Sequence, residues 1–140
     1  MSSLVSAVLR TACMVSVLAS AISPALAETP QQILSSYETA ARSQTPAFAA
    51  SAARGGVFFR NKHGHDWSCS SCHTDNPAAT GQHIVTGKTI QPMAVAANAE
   101  RLTQPAKVEK WITRNCKDVV GRECTPGEKA DVVVFLINSR

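Results

Sequence analysis

Apolar positions along the chain fall into four groups with different spacing, separated by one long polar stretch. In "TPQQILSSYETAAR", Ile33, Leu34 and Tyr37 share one helical face, behind Thr29 as N-cap and Pro30 at the first helical position. A second helix is predicted in "PAFAASAARGGVFFRNK", restarting at Pro46. Gly55 and Gly56 lower its intrinsic propensity, which suggests a close helix crossing there. Val108, Trp111, Ile112 and Asn115 repeat at i, i+3, i+4 and i+7, the stripe of an amphipathic helix in "TQPAKVEKWITRNC". The last segment opens with Thr125-Pro-Gly-Glu128, a capping box, before "KADVVVFLIN". Its β-branched run admits a strand, but the cap, the proline and the length favour a helix.

Between Asn61 and about Leu102 the pattern is loop-like, with only short apolar pieces among Gly, Pro and His. A stretch that long in a small domain calls for an organiser other than its own side chains. At its start stands Cys69-Ser-Ser-Cys72-His73. Two thiols two residues apart, followed at once by a histidine, form the attachment motif of a c-type haem. Each thiol can add to one vinyl group, and His73 becomes the proximal iron ligand. A zinc site needs two further ligands, and the gap between Cys116 and Cys124 is wider than usual for one. A thioredoxin-like redox pair needs a βαβ context that this pattern lacks.

The first 27 residues change the picture of where this happens. One arginine, a moderate apolar run and a small-residue ending at "SPALA" are the layout of a secretory leader, cut after Ala27. The run is shorter than the roughly 20 residues of a membrane span. Cys13 leaves with it, and residues 28–140 remain as a single cytochrome domain in an exported, periplasmic, bacterial protein. One Arg and no acid leave too, taking the formal charge from +4 to +3. That mild excess is scattered, and aromatics for base stacking are few, so nucleic-acid binding has little support. An all-α, small class I cytochrome c fold with one covalent haem c is expected. In such a fold the helix before the motif crosses the terminal helix, here at Gly55, Phe59 and Phe135.

The sixth iron ligand separates an electron carrier from a gas-binding protein. Candidates are Met93, Asn115, His63, His65, His83, Lys62 and Lys88. The two histidines and the lysine before the motif read as solvated loop residues, as do His83 and Lys88. Met93 follows a proline in the haem-wrapping loop and is the ordinary choice. Asn115 sits on the apolar stripe beside Trp111, but a helix-terminal asparagine bonded to backbone is an equal reading of its position.

The pattern "KVEKWITRNCKDVVGRECTPGEKAD", with "CSSCH" and "TGKTIQP", resembles the sphaeroides haem protein (SHP) family, a set of high-spin class I cytochromes c. The resemblance spans nearly all of residues 28–140 and is densest from Lys107 to Asp131. It implies that Asn115 ligates ferric iron beside His73 and leaves on reduction, so that O2, NO or a similar ligand can bind. It also implies a disulfide between Cys116 and Cys124, a dihaem cytochrome c as electron donor, and a membrane b-type cytochrome alongside. Met93, where a family member has Leu, is the departure, and a His73–Met93 electron shuttle is the alternative. Trp111 is expected at the haem, on a propionate or against its edge. No distal His or Arg stands out as a proton donor, which weighs against a dedicated peroxidase.

Overall fold

A computed structural model describes residues 28–140, and the leader read over residues 1–27 lies outside the described residues. The elements run α1 (Pro30–Gln44), α2 (Ala52–Arg60), α3 (Cys69–His73), β1 (Gly81–Gln82), β2 (Thr89–Ile90), α4 (Pro105–Val120) and α5 (Pro126–Asn138). The two short strands pair antiparallel, Gly81 opposite Ile90 and Gln82 opposite Thr89.

Capping boxes open three of the helices, α1, α3 and α5. The Thr29 hydroxyl accepts from the Gln32 N–H while the Gln32 side chain takes the Thr29 N–H, so α1 opens on a closed box. Thr125 and Glu128 repeat the arrangement at α5, at 3.2 and 2.8 Å. The C-terminal segment is therefore a helix despite its β-branched run. Ala130, Val133 and Leu136 are buried in it. Burying one such aliphatic side chain stabilises by about 1.5–3 kcal/mol, more than the fraction of a kcal/mol that valine loses in a helix.

The start of α2 differs from the expectation of a helix from Pro46. Residues 46–51 form a turn and extended backbone, and Ser51 is the N-cap. Asp131 on α5 is the cause. Its Oδ1 accepts the Ser51 N–H at 2.7 Å, and both its oxygens accept from Arg54 at 2.8 Å. A nearly buried carboxylate held by a two-pronged guanidinium and a backbone amide is well satisfied. It stops the chain from winding up earlier.

Beyond that cap, α2 crosses α5 at Gly55, where a Cβ would stand 1.9 Å from the Asp131 carbonyl oxygen. Phe59 and Phe135 meet at the same crossing, ring centroids 5.4 Å apart and tilted by 51°. The three residues expected at this crossing are all there. Ile33, Phe59, Leu102, Val133 and Leu136 make up the core. Leu102 joins it with φ +58°, an unusual backbone state for a leucine.

Both α1 and α2 pack on α5, whereas α4 approaches no other element as closely. Its apolar stripe touches the core through Val108 and Ile112. Polar ties secure it elsewhere. The Glu109 carboxylate accepts from Lys129 at 2.6 Å, Tyr37 at 2.8 Å and Thr113 at 2.9 Å. Burial alone would raise the Glu109 pKa, but these three donors together hold it below the usual carboxylate range. The helix ends at Gly121, φ +73°, in the left-handed cap that glycine adopts most easily.

Candidate functional site

The five-residue helix α3 carries the attachment motif, and Ser68 before it and Ser71 within it close a capping box. Ser68, the N-cap, accepts from the Ser71 N–H at 3.2 Å and gives its own N–H to the Ser71 hydroxyl at 3.0 Å. This box holds Cys69 and Cys72 on one short turn with both thiols free. Burial pushes the Cys69 thiol up to about 11, so it stays protonated. The Cys72 sulfur accepts the Ile84 N–H at 3.4 Å. Gly81 passes so close that a Cβ there would stand 2.2 Å from the Cys72 carbonyl oxygen, pinning β1 beside α3.

His73 follows, its ring centroid 6.3 Å from that of Phe59. Burial first, then the charges of Arg101 and His83, push its pKa down to about 4. The imidazole is therefore neutral near pH 7. Its Nδ1 is buried with no hydrogen-bond partner among the described residues. An unpaired buried nitrogen costs about 1–3 kcal/mol, whereas a neutral imidazole is the form that binds a metal. Thr74 then ends α3 abruptly at φ +61°.

Phe59, the ring beside His73, belongs to an apolar cluster. Cys69, Met93, Val108 and Ile112 pack against the cluster containing Phe59 and Leu102. The Pro77 carbonyl accepts from Met93 and Ala94 N–H groups at 2.8 and 2.9 Å, which fixes the Met93 backbone. Two tethering thiols, a neutral buried imidazole and an adjoining apolar cluster suit a covalently attached haem. The donor set does not suit structural zinc, because Cys116 and Cys124 are joined to each other.

On the α4 side, Asn115 is half-buried one turn beyond Ile112. Its side-chain amide takes part in no hydrogen bond among the described residues. The next residue, Cys116, forms a disulfide with Cys124 across the turn into α5, Cα atoms 5.7 Å apart. Both cysteines are buried with Val120, and Phe58 and Ile112 pack on them.

Trp111 lies at the outer margin of α4, 46% exposed, with the Arg114 guanidinium 5.5 Å from its ring centroid. Val108 and Ile112 supply that helix's contact with the core instead. His63 is not the solvated residue expected. Its Nε2 lies 2.9 Å from the Phe58 carbonyl oxygen and its ring 4.3 Å from the Phe58 ring. His65 is exposed and covers Gly121, while Lys62 and Lys88 are exposed. His83, also exposed, accepts N–H groups from Val85 and Thr86 in the β1–β2 turn.

One residue that fixes the loop before Met93 was invisible in the sequence. Arg101 donates to the carbonyls of Gln91 and Pro92, both at 2.8 Å, just before Met93. An arginine in a loop has no distinctive local pattern, so only its surroundings single it out.

A family model described as a domain of unknown function, DUF1924, matches residues 45–136. The chain is 39% identical over 112 residues to cytochrome c'' of Methylophilus methylotrophus, covering 76% of this chain and 78% of that protein. It is 42% identical over 119 residues to the cytochrome c-type protein SHP of Cereibacter sphaeroides, covering 81% and 88%. The crystal structure of oxidised cytochrome c'' aligns with a TM-score of 0.71 at 37% identity, over 79% of this chain and 94% of that one. Oxidised SHP, described as an oxygen-binding cytochrome c, also aligns at 0.71, with 41% identity over 79% and 96%.

Proposed function

The chain belongs to the DUF1924 family and, with SHP and cytochrome c'', to the small class I cytochromes c, and from that premise we propose a redox-gated site for small ligands. In this reading Cys69 and Cys72 would hold one haem c, and His73 would be a permanent ligand of its iron. Asn115 is the second ligand in the oxidised state only. Its departure on reduction leaves a position for O2, NO or a similar molecule.

Haem c, when bound, supplies the Fe(III)/Fe(II) couple and a coordination position for a diatomic ligand. The chain's own residues do the rest. Cys69 and Cys72 prevent loss of the group by covalent attachment. His73, neutral and buried, presents its imidazole without first losing a proton. Phe59, Leu102, Met93 and Ile112 keep water from the pocket. Asn115 offers a neutral, hard amide oxygen, which suits Fe(III) better than the softer Fe(II). Its release then needs only a side-chain motion.

The support for this reading is the place of Asn115, half-buried on the stripe of α4 whose Val108 and Ile112 pack on the core and immediately before the Cys116–Cys124 disulfide. An electron-shuttle reading with His73 and Met93 is the competitor, favoured by Met93 packing on the same core cluster. Optical spectra of the oxidised and reduced protein, with and without CO, separate the two. High-spin bands and rapid CO binding to the reduced form are expected. A low-spin reduced protein that ignores CO would assign the iron to Met93.

The Cys116–Cys124 bond has a part in this proposal as a brace for the ligand turn. A loop this short is worth roughly 2.5 kcal/mol to stability in the chain-entropy model. Reducing it with a phosphine is expected to weaken ferric Asn115 ligation as well, seen as a changed ferric spectrum and faster binding of added imidazole. Lower melting temperature with an unchanged spectrum would leave only the stabilising role.

A dihaem cytochrome c is the proposed electron donor, with a membrane b-type cytochrome as a second source of electrons. Export to the periplasm agrees with the leader read in the sequence and with the covalent haem. Among the described residues, no helix is long and apolar enough to cross a membrane.

A further inference from the structure

We propose that Glu109 is a positioning residue for α4: its carboxylate ties that helix to α1 and α5 at once and, with the Cys116–Cys124 bond, fixes the rotation at which Asn115 is presented to the haem. This rests on the reading of Asn115 as the ferric ligand.

One carboxylate with donors from three helices is the first observation. Glu109 Oε1 accepts from Lys129 on α5 at 2.6 Å and from Thr113, one turn along α4, at 2.9 Å. Its Oε2 accepts from the Tyr37 hydroxyl on α1 at 2.8 Å. An exposed ion pair contributes little, but here the Lys129 side chain is only 13% exposed. No other carboxylate among the described residues stands within ion-pair distance of it. Its ammonium also lies 5.7 Å from the centroid of the Tyr37 ring, within cation–π range. A nearly buried ammonium needs its counter-charge. Glu109, itself half-exposed, therefore cannot turn to solvent without stranding Lys129.

Helix phase is the second observation. Glu109, Thr113 and Cys116 follow one another at i, i+4 and i+7, as do Val108, Ile112 and Asn115. The two stripes run side by side along α4, one residue out of phase. The first carries the tethers, Glu109 to Lys129 on α5 and Cys116 to Cys124 just before α5. The second carries the core contacts of Val108 and Ile112 and ends on Asn115. With two attachments on one stripe the helix cannot roll about its axis, and the neighbouring stripe inherits that setting.

Packing does less to fix the helix. No other element approaches α4 as closely as α1 and α2 approach α5. An open cleft of about 300 Å³ lies between α1 and the first turns of α4, lined by Ile33, Ser36, Tyr37, Pro105, Ala106 and Glu109. The Tyr37–Glu109 hydrogen bond bridges that cleft, and without it the helix has room to turn.

Stopped-flow binding of imidazole to the ferric holoprotein at neutral pH tests the proposal. Glu109→Ala is expected to bind about tenfold faster, the factor that follows when one charge-assisted hydrogen bond no longer holds the closed state. Its ferric spectrum should change, while CO binding to the ferrous form stays as in the native protein. Glu109→Ala/Asn115→Ala should be no faster than Asn115→Ala alone, because Glu109 acts through that side chain. Glu109→Ala/Lys129→Met removes the stranded ammonium as well, so it should regain melting temperature yet keep the fast binding. Should Glu109→Ala fail to accumulate, native binding in that double variant overturns the proposal. A Glu109→Ala protein that melts earlier but keeps the native spectrum and rate, beside a fast Asn115→Ala, also overturns it and leaves a stabilising ion pair. An Asn115→Ala protein as slow as the native one overturns the ligand reading, and this inference with it.

Discussion

Asn115→Ala should bind cyanide or imidazole to its ferric form about ten- to hundredfold more tightly than the native protein, while CO binding to the ferrous form changes little. The asymmetry follows from the proposed gating. In the oxidised state an added ligand must displace the amide, so its apparent affinity is reduced by the fraction of sites that are open. A weak neutral ligand worth about 1.4–2.8 kcal/mol closes the site by one to two factors of ten. Removing the side chain removes that competition. In the proposed reduced state Asn115 is already off the iron, so on that proposal its loss opens nothing further. Alanine is also a better helix former than asparagine, so α4 should persist. Met93→Leu is the companion experiment and should leave both spectra as they are. An unchanged ferric spectrum in Asn115→Ala, with a changed one in Met93→Leu, would sink the gating proposal and leave an electron carrier.

Gly55→Ala should have the largest effect on stability of any single added methyl group at a described glycine. A Cβ at this position would stand 1.9 Å from the Asp131 carbonyl oxygen and 2.5 Å from its carbon, with Phe135 Cβ at 2.9 Å. Two of those atoms are backbone, so no rotamer change relieves the overlap and the helices must separate. Separation would loosen the Phe59–Phe135 contact and the Arg54–Asp131 pair together. Overpacking costs about 1–3 kcal/mol and occasionally more, and the upper end applies where backbone meets backbone. A domain of this size then melts roughly 10–20 °C lower. Gly56→Ala is the control. Its Cβ would meet the flexible end of Arg60 at 3.0 Å and the Phe135 ring at 3.2 Å. Relief there is cheap, and alanine regains up to about 1 kcal/mol of helix propensity. Equal melting points for the two variants would mean that the α2–α5 crossing is softer than its geometry implies.

The gap between these two variants also shows how far the sequence could be read. Adjacent glycines in an apolar helix announce a close crossing, and the resemblance to class I cytochromes c is what places it at Gly55, Phe59 and Phe135. Nothing in the spacing distinguishes Gly55 from Gly56 in severity, since that depends on which backbone atoms stand opposite. Similarly, the pattern after Pro46 reads as helix. The real start at Ala52 depends on Asp131, eighty residues along the chain from the Ser51 amide it accepts.

Sequence alone determined the features whose chemistry is local. The N-cap at Thr29 and the capping box from Thr125 to Glu128 need only near neighbours, and the α4 stripe needs only its period. Cys69, Cys72 and His73 lie within five residues, so their shared chemistry is written in the chain. Tertiary structure alone decided what depends on distant partners. It set the late start of α2 and seated His63 against Phe58. The physical reason is one of range. A hydrogen bond within a helical turn is specified by neighbours, whereas burial and charge balance are properties of the packed whole.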